Sequence, residues 1–223
     1  MLDTVVFIND TAIDFFTTNM ILVKVHAEKD TATANRYHAK AYPTSLLVRK
    51  NGEEVDRLVG FAPTQEYLQK FVDFSNGIGT LADLTARAET GLDRSLYMEI
   101  ADKYKYLGKG ADAEAWYTRV IESGEPLDSL SGDARLGFAD FCLREKDYVK
   151  ALDEYRKIAA EFTSYHGCEA ALMQAITYRK MADTAGAITQ FEKFIEQFPE
   201  SEEVEYAKGQ IERLKNPPEK AAE

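Results

Sequence analysis

Few residues in this chain are of types and spacings that do chemistry. Cys142 and Cys168 are the two thiols, and His166, Cys168 and Glu169 set an imidazole, a thiol and a carboxylate within one short stretch. Such a trio could begin a metal site, but structural zinc takes four ligands, and no second His/Cys cluster stands elsewhere. The stretch therefore reads as a helix-start loop. The thiols read as small unpaired side chains. On roughly parallel helices they fall about 15 Å apart at 1.5 Å per residue, and a disulfide needs α-carbons within about 7 Å. His26 and His38 stand alone and read as surface or strand-end residues rather than catalytic bases. There is no Gly-rich phosphate loop and no nucleophile elbow, so neither an enzyme, a cofactor nor a metal is expected. One further feature asks for a partner. Tyr42-Pro43-Thr44 leads into the apolar run SLLV, where a proline either opens a strand in trans or packs in cis against a neighbouring group.

The composition sets the limits within which such residues work. With 223 residues, 45% apolar and 29% charged, the chain has the make-up of a soluble globular protein of one or two domains. A net charge of −11 argues against nucleic acid or an anionic membrane as partner. The acidity is uneven, with 8 Lys and Arg against 10 Asp and Glu in residues 1–80, and 19 against 28 thereafter. No apolar run approaches the roughly 20 residues of a membrane span. MLDTVVFINDTAIDFF lacks the basic start and small-residue cleavage site of a signal peptide. The compartment stays open between cytoplasm and, were a leader lost with the N-terminus, periplasm.

The first 76 residues carry an α+β pattern. Asp10 is placed to cap a short helix through AIDFFTTN, and MILVKVH (20–26) has the β-branched run of a strand buried on both faces. TATANRYHAK (31–40) reads as a short helix. SLLVRK (45–50) and EVDRLVG (54–60) read as strands joined by a two-residue Asn51-Gly52 turn. PTQEYLQKFVDF (63–74) reads as a helix with Tyr67, Leu68, Phe71, Val72 and Phe74 around its apolar side.

Together, DTVVFINDTAIDFF before VKVHAEKD, RYHAKAYPTSLLV, the NGEEVDRLVG hairpin and the final helix resemble the C-terminal two-thirds of a thioredoxin-like domain. The resemblance implies that Pro43, after Tyr42, is that family's cis-proline. It also implies a Cys-x-x-Cys pair beside it at a helix N-terminus, where the first thiol's pKa is lowered. This chain has no Cys-x-x-Cys. By the resemblance, that motif and the strands and helix around it would precede Met1, which makes residues 1–76 a redox-inactive remnant. The alternative is the C-terminal portion of a thiol–disulfide oxidoreductase whose cysteines lie upstream. A sheet missing its centre would expose strand edges, with self-association through residues 20–26 as the consequence.

Beyond NGIGT (76–80), a helix-bearing linker is expected over 77–92, and then a repeat begins. Ala101-x-x-Tyr104 precedes Ala113-x-x-x-Tyr117-x-x-Val120. Ala139-x-x-Cys142 precedes Ala151-x-x-x-Tyr155-x-x-Ile158, and Ala175-x-x-Tyr178 precedes Ala187-x-x-x-Phe191-x-x-Phe194. The units recur after 38 and 36 residues, and small residues twelve apart let two helices pack closely. Residues 93–200 thus resemble tetratricopeptide repeats, an all-α solenoid of helix pairs. Alanine replaces the usual glycine at the first small position, and Tyr97, Arg135 and Ala171 stand where a tryptophan is usual. SEEVEYAKGQIERLK completes the 93–215 region as a capping helix, and residues 216–223 read as a disordered tail.

By the resemblance, the first helices line a groove that holds another protein or peptide. Its lining would be Met98, Asp102, Lys105 and Tyr106, then Leu136, Asp140, Leu143 and Arg144, then Leu172, Ile176, Arg179 and Lys180. Lys105, Arg144, Arg179 and Lys180 fall at corresponding helix ends as a basic strip suited to carboxylates. The plainer reading is helix-end charge complementing the macrodipole. The lysine–asparagine clamp of some arrays is not evident.

Overall fold

The computed structural model describes residues 2–163 and 165–216. Contacts divide the chain into two compact units, residues 1–113 and 114–223, with the division inside one helix. The tail expected at 216–223 lies, past Asn216, outside the described residues.

The first unit opens with a π-helical stretch, Leu2–Val6, and then α1 (Asp10–Asn19) and α2 (Thr31–Arg36). The cap of α1 is Asn9, whose side chain accepts from the Ala12 N–H, and Asp10 is already helical. Asn9 wins because its backbone is extended at φ −81° and ψ 125°, the conformation from which a side-chain oxygen reaches the first free N–H groups. Strands β1 (Thr44–Val48) and β2 (Glu54–Val59) pair antiparallel as a two-stranded sheet, with a bulge at Leu47/Val48. The expected two-residue turn is longer. Arg49 and Glu53 still pair, and the Gly52 N–H donates to Arg49 O at 2.8 Å with Gly52 at φ +82°. This places glycine at the left-handed position of a three-residue turn.

The run 20–26 forms no strand. Ile21 is 94% exposed, and Leu22, Val23 and Val25 are exposed beside it. Strand composition is not enough where no ladder partner stands alongside, and among the described residues β1 and β2 pair only with each other. The Tyr42–Pro43 bond is cis.

Helix α3 (Thr64–Ser75), entered from Pro63, lays Tyr67, Phe71 and Phe74 inward. Tyr67 and Phe71 meet Phe16 in an aromatic cluster with centroids 5.0 to 6.0 Å apart, edge-on or tilted as ring quadrupoles prefer. The Tyr67 hydroxyl donates to Ser45 Oγ at 2.7 Å, and burial pushes its pKa up. Helix α4 (Leu81–Ala88), capped by Thr80, and α5 (Arg94–Tyr106), capped by Asp93, complete this unit up to the start of α6 (Gly110–Glu122). Residues expected as a linker and as the first repeat helix thus belong to the same compact unit as the hairpin.

The second unit is helical throughout its described residues: α7 (Ser129–Arg144), α8 (Tyr148–Glu161), α9 (Tyr165–Lys180), α10 (Thr184–Gln197) and α11 (Val204–Lys215). Each packs on the next, and α7 also meets α9. The spacing explains why. Ala139, Ala151, Ala175 and Ala187 are fully buried, so backbones approach closely, and Tyr155, Ile158, Phe191 and Phe194 fill the space between pairs. Val204 and Ala207 of α11 close the last pair.

Helix-to-helix turns recur in a common form. Lys109, Asp147 and Asp183 donate N–H to Tyr104, Cys142 and Tyr178 carbonyls at 3.0, 2.9 and 3.0 Å. The residue before each is left-handed: Gly108 at φ +70°, Lys146 at +66° and Ala182 at +60°. These are the bonds of a Schellman end, and Asp147 and Asp183 then cap α8 and α10.

Candidate functional site

In the first unit, the candidate surface is built on β2. Asp56 is buried, and its Oδ1 accepts the Lys103 ammonium at 2.6 Å and the Arg57 N–H at 2.7 Å. Its Oδ2 accepts the Leu81 N–H at 2.9 Å. The Arg57 guanidinium forms a two-pronged pair with Glu54 at 2.6 Å and donates to the carbonyls of Tyr106 and Tyr37, each at 2.7 Å. Every charge here has partners, which is the condition under which burying it is tolerable. Beside this lock lies a cleft of about 410 Å³ between β2, α3 and α5, with Leu58, Phe74 and Met98 as its apolar part and Lys70 and Glu99 among its charges.

Three residues expected to line a groove, Met98, Asp102 and Tyr106, line this cleft. Lys105 does not line it. It is 8% exposed, with its ammonium 2.5 Å from Asp102, so its charge is spent within its own helix.

In the second unit, α7, α8 and α9 bring together Asp140, the Tyr155 hydroxyl and Glu169. That hydroxyl donates to Asp140 Oδ1 at 2.5 Å, and burial, reinforced by the Asp140 charge, holds its pKa far above the ordinary phenol range. Glu169 is half-buried. Burial raises its pKa, and the charges of Asp140 and Glu203 raise it further. The exposed Tyr165 is raised chiefly by the Glu169 charge. Leu136, Leu143 and Leu172, expected to line a groove, are each buried in the helix packing.

Of the expected basic residues, Arg179 donates to the Gln210 side-chain oxygen, Arg144 is half-buried, and Lys180 is exposed. The strip is thus not uniform. Its last member faces water, while Arg179 is engaged by the capping helix.

His166 is not in a loop. It sits in the first turn of α9, 5% exposed, with Nε2 3.0 Å from Asp133 Oδ1 and its ring against Gly132, where a Cβ would lie 2.6 Å away. The small Gly132 makes the room, and the imidazole packs on Phe162. Among the described residues no three His, Cys, Asp or Glu side chains group to hold a metal. Cys142 is buried and its thiol is pushed up to about 11, with burial as the main cause. Cys168 is half-buried, 3.6 Å from Ser201 Oγ. Both are free.

The repeat pattern places Tyr155 but gives no sign of its hydrogen bond to Asp140. A buried tyrosine hydroxyl needs a partner, and Asp140, on the facing helix, was the available acceptor. Nothing in the sequence marks the Asp56–Arg57 lock, because charged residues are ordinarily exposed.

The second unit is thus an array of antiparallel helix pairs with small residues at the pair interfaces. Residues 98–166 and 169–201 each match a tetratricopeptide-repeat family model. Both matches lie beyond the α+β segment, so they do not support the thioredoxin-like reading of residues 1–76. No curated protein shows a matching sequence. Among the described residues no helix is long and apolar enough to cross a membrane.

Proposed function

We propose that the chain is a protein-interaction scaffold that holds a segment of another protein against the surface shared by α7 and α9. The observation that carries this reading is the recurring helix pair itself. Fully buried alanines at 139, 151, 175 and 187 make the array stiff, so its surface side chains are presented without much ordering cost. Repeats of this kind bind protein partners in general.

On this surface the partner meets carboxylates from Asp140 and Glu169 and, further along the helices, cations from Arg144, Arg179 and Lys180. Those three, with Asp140, are the residues assigned to partner contact in this unit.

A photo-crosslinking amino acid at Lys180, compared with one at the exposed Lys193 of α10, tests the assignment. Crosslinking of one partner from position 180 and not from 193 is the expected result. Equal crosslinking from both, or none from 180, counts against it. With the partner purified, serine at 144, 179 and 180 together should weaken binding about tenfold or more, and less so in high salt.

The finer reading of residues 1–76 as a redox-inactive thioredoxin-like remnant rests on the order of hairpin and amphipathic helix. The unformed strand at 20–26 weighs against it. Both cysteines lie in the second unit, so no thiol of this chain belongs to that segment.

A further inference from the structure

We infer that the cleft beside β2 is a second binding site, for a short extended peptide that adds as a strand to the outer edge of β2. The Gly60 N–H donates to Pro43 O at 2.8 Å. In antiparallel pairing that phase makes Ser45–Leu58 and Leu47–Asp56 the bonded pairs, and it turns the N–H and C=O groups of Arg57 and Val59 to the outer edge. The Arg57 N–H is taken by Asp56. The N–H and C=O of Val59 take no partner among the described residues.

The edge therefore offers the N–H and C=O of Val59 and, two residues earlier, the C=O of Arg57 at strand spacing, and the cleft lies alongside it with Arg57, Leu58 and Val59 in its wall. A main chain supplies the matching acceptor and donor, as in strand addition. The volume of about 410 Å³ lies within the range that small-ligand sites occupy. Leu58, Phe74 and Met98 ask for one apolar side chain. Charge does not select the occupant: Arg57, Lys103 and Asp102 are already paired, and Lys70 and Glu99 are of opposite sign. The site thus favours an extended, uncharged peptide with a central apolar residue. This site lies wholly within the first unit, and its proposal does not rest on the α7–α9 surface.

The full chain, isotope-labelled, is titrated with a panel of end-blocked pentapeptides, threonine-rich and differing only in the central apolar residue. Saturable shifts of the Val59 amide and the Met98 methyl are expected with at least one of them. Methylating the peptide's backbone nitrogens should weaken binding about tenfold or more, since it removes the main-chain donors and leaves the side chains intact. Val59→Pro tests the protein side. Proline is tolerated on a strand edge where its missing N–H faces outward, so thermal unfolding serves to show that the variant is folded, and binding should fall by a similar factor. The proposal is overturned by the absence of saturable shifts at Val59 for every peptide. It is equally overturned by binding that ignores backbone methylation, which needs no variant to be folded.

Discussion

Lys103 on α5 places its ammonium 2.6 Å from Asp56 Oδ1 on β2, with the two side chains 14% and 4% exposed. This pair, with the Arg57 bonds to Glu54, Tyr37 and Tyr106, fastens a hairpin to a repeat-like helix 47 residues further along the chain. The same carboxylate caps the approach to α4 through the Leu81 N–H. A single charge thus organises three elements of the first unit.

Asp56→Asn should therefore be costly. It leaves a nearly buried ammonium without its counter-charge, for which a loss of about 3–5 kcal/mol is typical. Lys103→Met should cost less, because Asp56 keeps two backbone N–H donors. Urea unfolding of both variants tests this ordering. Equal losses would show that the ion pair itself, rather than the stranded lysine, sets the cost.

The left-handed turns make a prediction of opposite sign. Lys146 and Ala182 hold φ of +66° and +60°, where a side chain's Cβ is crowded and glycine is not. Ala182→Gly and Lys146→Gly should each stabilise the chain by about 0.5–1 kcal/mol, net of glycine's greater unfolded-state entropy. Gly108→Ala should do the reverse, since a Cβ there would also run into the His38 ring. Denaturation midpoints with unchanged m-values are the readout.

Much of the second unit was legible in the sequence because its signal is redundant. The same alanine and aromatic positions recur after 36 residues, and all prove buried except the half-buried Tyr178. The first unit offered single cues. A β-branched run at 20–26 met no partner strand, and Asp10 competed with Asn9 for one cap. Nothing local marks Asp56, Arg57 and Lys105 as buried, because their partners are distant in sequence or lie one helical turn away. His166 departs from the expected helix-start loop for the same reason: its place depends on Gly132 and Asp133, more than thirty residues earlier.

Glu169 sets a pH dependence. Burial, Asp140 and Glu203 raise its carboxyl above the ordinary value of 4.5, so the folded chain holds this proton at a pH where the unfolded chain has lost it. The unfolded state then binds fewer protons, and this residue's contribution falls as pH rises from 4.5 through the raised value. Glu169→Gln should unfold at a higher temperature than the parent at neutral pH. The difference should shrink to nothing below pH 4.5, where both carry a neutral side chain. A difference that is constant with pH would assign the effect to packing instead.

The two thiols should react differently, and neither should act as a redox pair. Cys142 is buried in α7 and its thiol is pushed up to about 11, so little thiolate exists near neutral pH and access is poor. Cys168 is half-buried near the start of α9. Iodoacetamide on the native chain should therefore label Cys168 well ahead of Cys142, and in urea the two should label alike. Peptide mass spectrometry follows both sites at once. Turbidity from insulin reduction should stay at the level of the thiol reductant alone. If reduction above that level persists after both cysteines are replaced, the chain has a reducing group that its thiols do not supply. If it disappears with Cys168, that half-buried thiol, outside any Cys-x-x-Cys motif, is exchanging disulfides. Either result would set aside the scaffold-only reading.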